Sequence, residues 1–590
     1  MPFHRQAGIV VAVAIAAHFM ILSRGLVWDD PMIRDHMRLT GLWRIFQPDY
    51  FGFVRPGKVA LFSIAASLFG SWAPGWQALS LLILIAASLA LLRFAREFLP
   101  PAGALAAALA YAAHPLHVEA TGWFSAVNGT ALVAFAFPYY LIMLRLAQTA
   151  RWHVKDLLLA TACLAGALFM KEDAVVTPFV ALLCIVARCG RVERPMGVVW
   201  MVHLGLALAF TAYNRLAARD WGQELIPPIY PEWVLSLHAA RSFFEHVVYF
   251  AAPFRWMYYI EYDRRPTVLL PMTLAGLLGA AALVAWLVRR PRRLDLPRLS
   301  VLMTIVPMLP VLNIIYTGNN LFGVRYLAHG GTGLALLAGW AVTEAMMRGG
   351  LAWRITRVAA LSWLAGAIAA SNVFHAGWRT DASLFGNIAR AVPWHPYAWT
   401  MLARDAYNAG HYKAAEGYAR EALRTADELD NLMLRETDRM KRLGLAAVAP
   451  NCVESYDPSM HVILAMSLNK QGRHDEALRA LRTAAANGAR KPSVLVNLAY
   501  HYDNDYFATR NPRSKALAIR YYTRAARSNR AEGETAFVNL GLLYAADGQT
   551  TQAVEVWTRG LKRFPGSNDI RHNLQIALRE LATSAPLSHP

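Results

Sequence analysis

From residue 1 to about residue 375 the chain alternates long apolar runs with short polar breaks. Beyond that point no run is long enough to cross a bilayer. A helical crossing takes about 20 largely apolar residues. On that rule spans are predicted near 7–24, 74–95, 101–118, 122–147, 156–171, 173–189, 196–213, 269–288, 299–315, 326–347 and 355–375. Two shorter apolar stretches, 56–70 and 241–256, are predicted to re-enter the membrane or to lie along its surface. The first run has no small-x-small cleavage site and other membrane segments follow it, so it reads as a span and not as a cleaved leader.

Residues 376–590 instead show the small-and-large alternation of short amphipathic helices, with a period of about 34 residues. The clearest unit runs Phe537…Leu540-Gly541…Tyr544…Gly548…Ala553…Trp557…Pro565, and it resembles a tetratricopeptide repeat at nearly every position. A second runs His461…Leu464-Ala465…Leu468…Gly472…Ala477…Ala484, and a first Trp399…Leu402-Ala403…Gly410…Ala415…Ala422. A looser third covers about 492–528 and carries a polar insertion, Asp503 to Ser514, readable as a shaped surface or as a tolerated loop. Residues 569–583 read as a capping helix. The expected fold class is all-α. A polytopic transmembrane domain of 11–13 spans covers residues 1–378, and an α-solenoid of repeats covers 379–590. The solenoid offers a concave surface for a peptide or protein; the plainer reading is a rigid cap.

Composition agrees with the pattern. Of 590 residues 56% are hydrophobic and 17% charged, against about 25% charged in soluble proteins. That excludes an ordinary soluble enzyme and a disordered chain. Four cysteines, Cys163, Cys184, Cys189 and Cys452, supply neither a disulfide scaffold nor a metal framework. The net charge of +20 would fit nucleic acid if it were spread over one soluble face. Its arginines instead flank apolar runs, at Arg93/Arg96, Arg145/Arg151/Lys155, Arg188/Arg191/Arg194, Arg289–Arg293 and Arg348/Arg354/Arg357. All fall on one side of the eleven-span topology, which makes that side cytoplasmic. No nucleic-acid partner is expected. The N-terminus is then inside, and an odd span count puts the repeats outside. Outside means the periplasm in a bacterium or the endoplasmic reticulum lumen in a eukaryote. Arginine-rich, lysine-poor usage favours a bacterial inner membrane.

The outside segments, 25–73, 117–122, 171–173, 214–268 and 316–325, hold the chemistry. Ionisable groups at a membrane edge are functional candidates because burying them is costly. Trp28-Asp29-Asp30 follows the first span directly. One aspartate would cap the helix that Pro31 begins, but two adjacent carboxylates point to a cation or a proton-accepting role. Further on, Tyr50-Phe51-Gly52-Phe53-Val54-Arg55-Pro56 presents an arginine that could steady carboxylates or contact a phosphate, or could simply snorkel. His114-Pro115-Leu116-His117-Val118-Glu119-Ala120, followed by Trp123 and Asn128, places two histidines and a glutamate at a turn. Their order is not His-Glu-x-x-His, which sets zinc hydrolysis aside. Lys171-Glu172-Asp173 joins two spans, and Asn313, Asn319, Asn320, Arg325 and Tyr326 gather near the start of the tenth.

Taken in order, these segments resemble integral-membrane glycosyltransferases of the GT-C superfamily, nearest to the transmembrane and tetratricopeptide-repeat protein O-mannosyltransferases. The resemblance covers nearly the whole chain. It rests on Asp29-Asp30, Arg55-Pro56, the run His114 to Ala120, Lys171-Glu172 and Arg325-Tyr326-Leu327. Val324 stands where the family has glutamate, and no arginine follows the His-Pro segment near Asn128; the sugar is therefore left unassigned. The resemblance implies an inverting transfer from a polyprenyl-phosphate-linked sugar to a hydroxyl of an extracytoplasmic acceptor, Ser or Thr of a protein bound at the repeats. Asp29 or Asp30 would be the base, with His117 and Glu119 orienting. Arg325, Lys171, Arg55 and Tyr326 would hold the donor phosphate, supported by Glu172 and His114. Besides donor and acceptor, membrane lipids are the remaining partner. No metal cofactor is expected, although paired carboxylates can take a divalent ion. The same chemistry on a lipid or envelope glycan is the first alternative. A transporter would call for inverted repeats or broken helices, and a purely structural assembly factor would leave the charged loops unexplained.

Overall fold

Among the described residues every regular element is a helix. The computed structural model describes the chain except residues 35–44, 47–52, 150–151, 220–231, 255–265, 290–293, 313–322, 395, 443–458, 489–490, 529–530 and 585–590. Two compact units emerge. One comprises Met1–Leu384 with Met433–Cys452, the other Phe385–Leu432 with Val453–Pro590.

In the first unit the helices are α1 Phe3–His18, extended by a 3-10 turn Phe19–Ser23, then α2 Pro56–Phe69, α3 Ala73–Ala95, α4 Pro101–Ala112, α5 His117–Gly122, α6 Asn128–Gln148 and α7 Val154–Met170. They continue with α8 Thr177–Cys189, α9 Arg194–Arg219, α10 Glu232–Ala251, α11 Pro266–Val288, α12 Leu296–Met308, α13 Leu327–Arg348 and α14 Gly350–Gly377. Among the described residues five helical stretches are long and apolar enough to cross a membrane: Phe3–Ser23, Ala73–Ala95, Phe124–Gln148, Arg194–Ala217 and Gly350–Gly377. The unit is that of a multi-pass membrane protein. Apart from 101–118, each expected span falls mainly on helix among the described residues, with 313–315 outside them, and the described parts of the two ambiguous stretches fall on α2 and α10.

The expected span 101–118 needs correction. Helix α4 stops at Ala112, because Pro115 pushes His114 out of the helical region. The His114 ring then closes the turn, its Nδ1 accepting from the Leu116 amide at 2.9 Å. What was expected as an outside loop, 117–122, is the buried helix α5. Close packing elsewhere depends on small residues. A methyl at Gly339 would lie 2.4 Å from the Gly103 carbonyl oxygen, so α4 and α13 meet through two glycines.

The second unit is a solenoid of helix pairs: α15 Pro396–Asn408 with α16 Tyr412–Arg442, which belongs to this unit as far as Leu432, α17 Ser459–Lys470 with α18 His474–Gly488, α19 Pro492–Thr509 with α20 Pro512–Ala525, and α21 Ala531–Ala546 with α22 Thr550–Arg563. Helix α23, Asn568–Ser584, follows as the cap. The small residues read from the sequence sit where helices touch: Ala403, Ala415, Ala422, Ala465, Ala477, Ala484 and Ala553 are fully buried. In the last pair Gly541 admits the Trp557 ring, since a methyl there would come within 2.2 Å of it. Three of the four pairs turn through a left-handed glycine, Gly410, Gly472 and Gly548, and the third turns through Arg510 at φ +56°. The polar insertion is not a loop over most of its length. Residues 503–509 extend α19, because Leu495, Leu498, Ala499, Tyr502 and Tyr506 continue one packed stripe at helical spacing.

Candidate active site

The chain leaves the first span and reaches the aspartate pair through Trp28, which adopts φ +63°. A bulky residue in the left-handed region is strained and must be held by its surroundings. Here its amide donates to Asp381 Oδ1 at 2.7 Å, and its ring stacks on Trp123 with centroids 4.5 Å apart. The two carboxylates that follow have different environments. Asp30 is fully buried and accepts the Phe124 and Ser125 amides, each at 2.9 Å, one on each oxygen. Asp29 accepts the indole N–H of Trp123 on Oδ1. Burial pushes Asp29 above the usual carboxylate range, against the Trp123 hydrogen bond and the charges of Lys58 and Arg325. Asp30 is pushed up further, by burial first and then by the charge of Asp29, against its two amide bonds.

Around this pair stand ion pairs drawn from distant parts of the chain. Arg325, in a 3-10 turn that opens α13, donates to Glu119 Oε1, and its amide reaches Glu119 Oε2 at 3.3 Å. Its guanidinium lies 5.2 Å from the Trp123 ring centre and 4.9 Å from that of Tyr326. Arg55 grips Glu172 with a two-pronged fork, Nε to Oε2 and Nη2 to Oε1, both 2.8 Å. Burial alone would raise Glu172, but the adjoining Arg55 outweighs it and brings the acid down to about 2. The backbone before Arg55 is fixed by Asn214 of α9. That side chain accepts the Val54 amide at 3.0 Å and donates to the Val54 carbonyl at 2.9 Å. Lys171 donates to Asp173 at 2.6 Å and lies 5.3 Å from the Tyr326 ring centre.

Most of the expected site residues therefore form one continuous set. Asp29 leads through Trp123 to Arg325 and Glu119, then through Tyr326 to Lys171, with Glu172 and Arg55 beside it. The histidines do not join it. His114 Nε2 bonds the Phe250 carbonyl at 3.0 Å, and His117 Nε2 bonds the Tyr111 carbonyl at 3.0 Å. Both rings are fully buried and shape the turn that carries Glu119. Expected residues Tyr50, Phe51, Gly52, Asn313, Asn319 and Asn320 lie outside the described residues. Sequence reasoning passed over Trp28 and Trp123 as site members, and missed Asn214 and Lys58 altogether. Lys58 is 4% exposed and its charge bears on both aspartates. The signal was available, since a lone lysine within an apolar helix invites a functional reading.

Chemically, the set offers a carboxylate of raised basicity beside fixed cations suited to a phosphate. The family model described as dolichyl-phosphate-mannose-protein mannosyltransferase matches residues 56–213, the segment holding Lys58, Glu119, Trp123 and Lys171 to Asp173. Among curated proteins none matches the chain. Among solved structures, the chain is similar to the oligosaccharyltransferase of Archaeoglobus fulgidus in its apo form, at 13% identity over 63% of this chain and 56% of that one, with a TM-score of 0.39. It is similar also to ArnT from Cupriavidus metallidurans bound to undecaprenyl phosphate, at 15% identity, 80% and 79% coverage and a TM-score of 0.35. Yeast Tom70 gives 11% identity, 81% and 97% coverage and a TM-score of 0.22. The chain thus spans little more than half the length of the archaeal enzyme.

Proposed function

We propose that the membrane unit moves a sugar from a polyprenyl-phosphate-linked donor to a hydroxyl of an extracytoplasmic acceptor, Ser or Thr of a protein. The observation that carries this reading is the unequal aspartate pair. Asp30 has both oxygens engaged by backbone amides, whereas among the described residues Asp29 is engaged through Oδ1 alone, by Trp123. Asp29 Oδ2 is left to accept the proton of an attacking hydroxyl. A base whose affinity for protons is raised toward neutrality suits that transfer. The matched family model, whose description names a phosphate-linked lipid donor, supports the donor class.

A phosphate leaves as a stable anion, so the departing side needs positive charge and not a strong acid. Arg325 and Lys171, with Arg55 behind them, supply it. Their pairing with Glu119, Asp173 and Glu172 fixes each cation before substrate arrives, which limits the reorganisation needed during transfer. One displacement on the face opposite the phosphate inverts the anomeric carbon. The paired carboxylates are not used as a metal site in this scheme, because one of them is consumed by the amide clamp. In the membrane of a bacterium the N-terminus would be cytoplasmic and the repeats periplasmic, where they would present the acceptor.

The test is mass spectrometry of extracytoplasmic proteins and envelope glycolipids with and without the active protein, backed by transfer assays with synthetic polyprenyl-phosphate sugars in EDTA. Mass increments of a single sugar residue on Ser- or Thr-containing peptides are expected. A change confined to glycolipid would overturn the protein acceptor, and failure to consume any such donor would overturn the reaction.

A further inference from the structure

A second polar network lies beneath the aspartate loop. Arg24 is 2% exposed, and among the described residues its Nε and Nη1 have no hydrogen-bond partner. Its Nη2 meets His375 Nδ1, on the last membrane helix. A guanidinium only donates, so that Nδ1 must carry a lone pair. His375 then holds its proton on Nε2 and donates it to His18 Nδ1 at 2.9 Å. His18 in turn holds its proton on Nε2 and donates it to the Ala112 carbonyl at 3.1 Å. Every link has one donor and one acceptor, and both imidazoles are neutral. The arginine is therefore oriented by a neutral relay that supplies no counter-charge.

That charge faces the end of α5. A methyl at Gly122 would lie 1.6 Å from Arg24 Nη1 and 2.9 Å from Cζ, so the guanidinium occupies the side-chain space of residue 122. Partial negative charge collects at such a helix C-terminus. The next three residues are Trp123, which donates to Asp29, and Phe124 and Ser125, whose amides clamp Asp30. On the other side the Gly25 amide bonds the Arg379 carbonyl at 3.1 Å.

We propose that Arg24 is a positioning residue: held by the His375–His18 relay and seated on Gly122, it sets the turn that aims both aspartates. It is not a substrate ligand. The kinetic half of its test rests on the proposed transfer; the exchange half does not.

The experiment compares Arg24→Lys, Gly122→Ala, His375→Asn and His375→Phe in the full-length purified protein. One readout is hydrogen exchange at Phe124 and Ser125, and the other is kcat against the donor KM with a synthetic polyprenyl-phosphate sugar. Gly122→Ala leaves every network side chain intact but evicts the guanidinium. It should speed exchange at those amides by about tenfold, lower kcat by about 100-fold, and hold KM within about twofold. Arg24→Lys and His375→Phe should behave alike. His375→Asn, whose Oδ1 can replace Nδ1 as acceptor, should recover most of both. Unchanged exchange in Gly122→Ala overturns the proposal, as does a raised KM at constant kcat, which would make Arg24 a substrate ligand. Loss of protection throughout α6 would make it a general fold determinant and also overturn it. Altered exchange in a protein with no transferase activity would leave the positioning role standing and overturn the transfer reaction alone.

Discussion

Replacing each aspartate of the pair by asparagine should produce opposite failures. Asp29→Asn keeps an oxygen to accept the Trp123 indole N–H and differs from the native side chain mainly in basicity. Its folding cost should stay below about 1 kcal/mol, while loss of a general base lowers the chemical step by about 10²–10⁴-fold. Asp30→Asn has one oxygen for two amides. Phe124 and Ser125 each donate at 2.9 Å, so one buried N–H would face an NH₂ group and lose its partner. That costs about 1–3 kcal/mol, read as a lower thermal midpoint in detergent. The assays are single-turnover transfer at saturating donor, equilibrium donor binding and thermal unfolding. Asp29→Asn should bind donor normally and fail to transfer it, whereas Asp30→Asn should unfold earlier. Near-normal turnover by well-folded Asp29→Asn would refute the assignment of the base, and an undiminished midpoint in Asp30→Asn would refute the clamp.

Because burial raises Asp29 and the base works deprotonated, kcat/KM should fall as pH drops through a value above the ordinary carboxylate range; Trp123→Phe removes a donor that favours the charged form, so the acid limb should move to higher pH, and a downward shift would contradict the geometry. Glu172→Gln removes a partly exposed partner that Arg55 brings down to about 2, which should cost roughly 1–2 kcal/mol after allowing for solvent screening; a thermal midpoint equal to wild type would show the fork to be energetically idle. In the repeat unit, burial lifts Asp503 to about 6 against the Tyr522 hydroxyl. The folded state then loses stability as pH rises from about 4 through about 6, so Asp503→Asn should stabilise by roughly 1–2 kcal/mol above pH 6 and by nothing below pH 4 in unfolding monitored across that range.

The helices were legible because an apolar run long enough for a bilayer needs no knowledge of its partners. The repeats were legible for a related reason: Ala403, Ala465 and Ala553 are small because a neighbouring helix occupies the space. Misreadings arose where local propensity and tertiary packing disagree. Residues 503–509 look like a loop because aspartate and asparagine are weak helix formers, yet the buried stripe through Tyr502 and Tyr506 keeps them helical. The third turn uses Arg510 where a glycine was the readable signal; its guanidinium lies 5.5 Å from the Tyr506 ring centre and 5.6 Å from that of Phe507, a contact worth about 0.5–1 kcal/mol at an exposed site.

The site members were legible one at a time, but their partnerships were not. Glu119 meets Arg325 across 206 residues and Arg55 meets Glu172 across 117, and no local pattern encodes such pairings. The aspartate pair shows what the missing information amounts to. Adjacent residues entering a helix point about 100° apart, so Asp29 and Asp30 cannot share an environment, whatever their identical chemistry. The strained turn at Trp28 fixes which of them enters the amide clamp. With Asp30 committed to Phe124 and Ser125, the raised basicity of Asp29 is set by its burial, which outweighs the Trp123 indole and the charges of Lys58 and Arg325. Under the proposed transfer the doubled acidic residue after the first span divides into an anchor, Asp30, held by two amides, and a base, Asp29, with one oxygen bonded to Trp123.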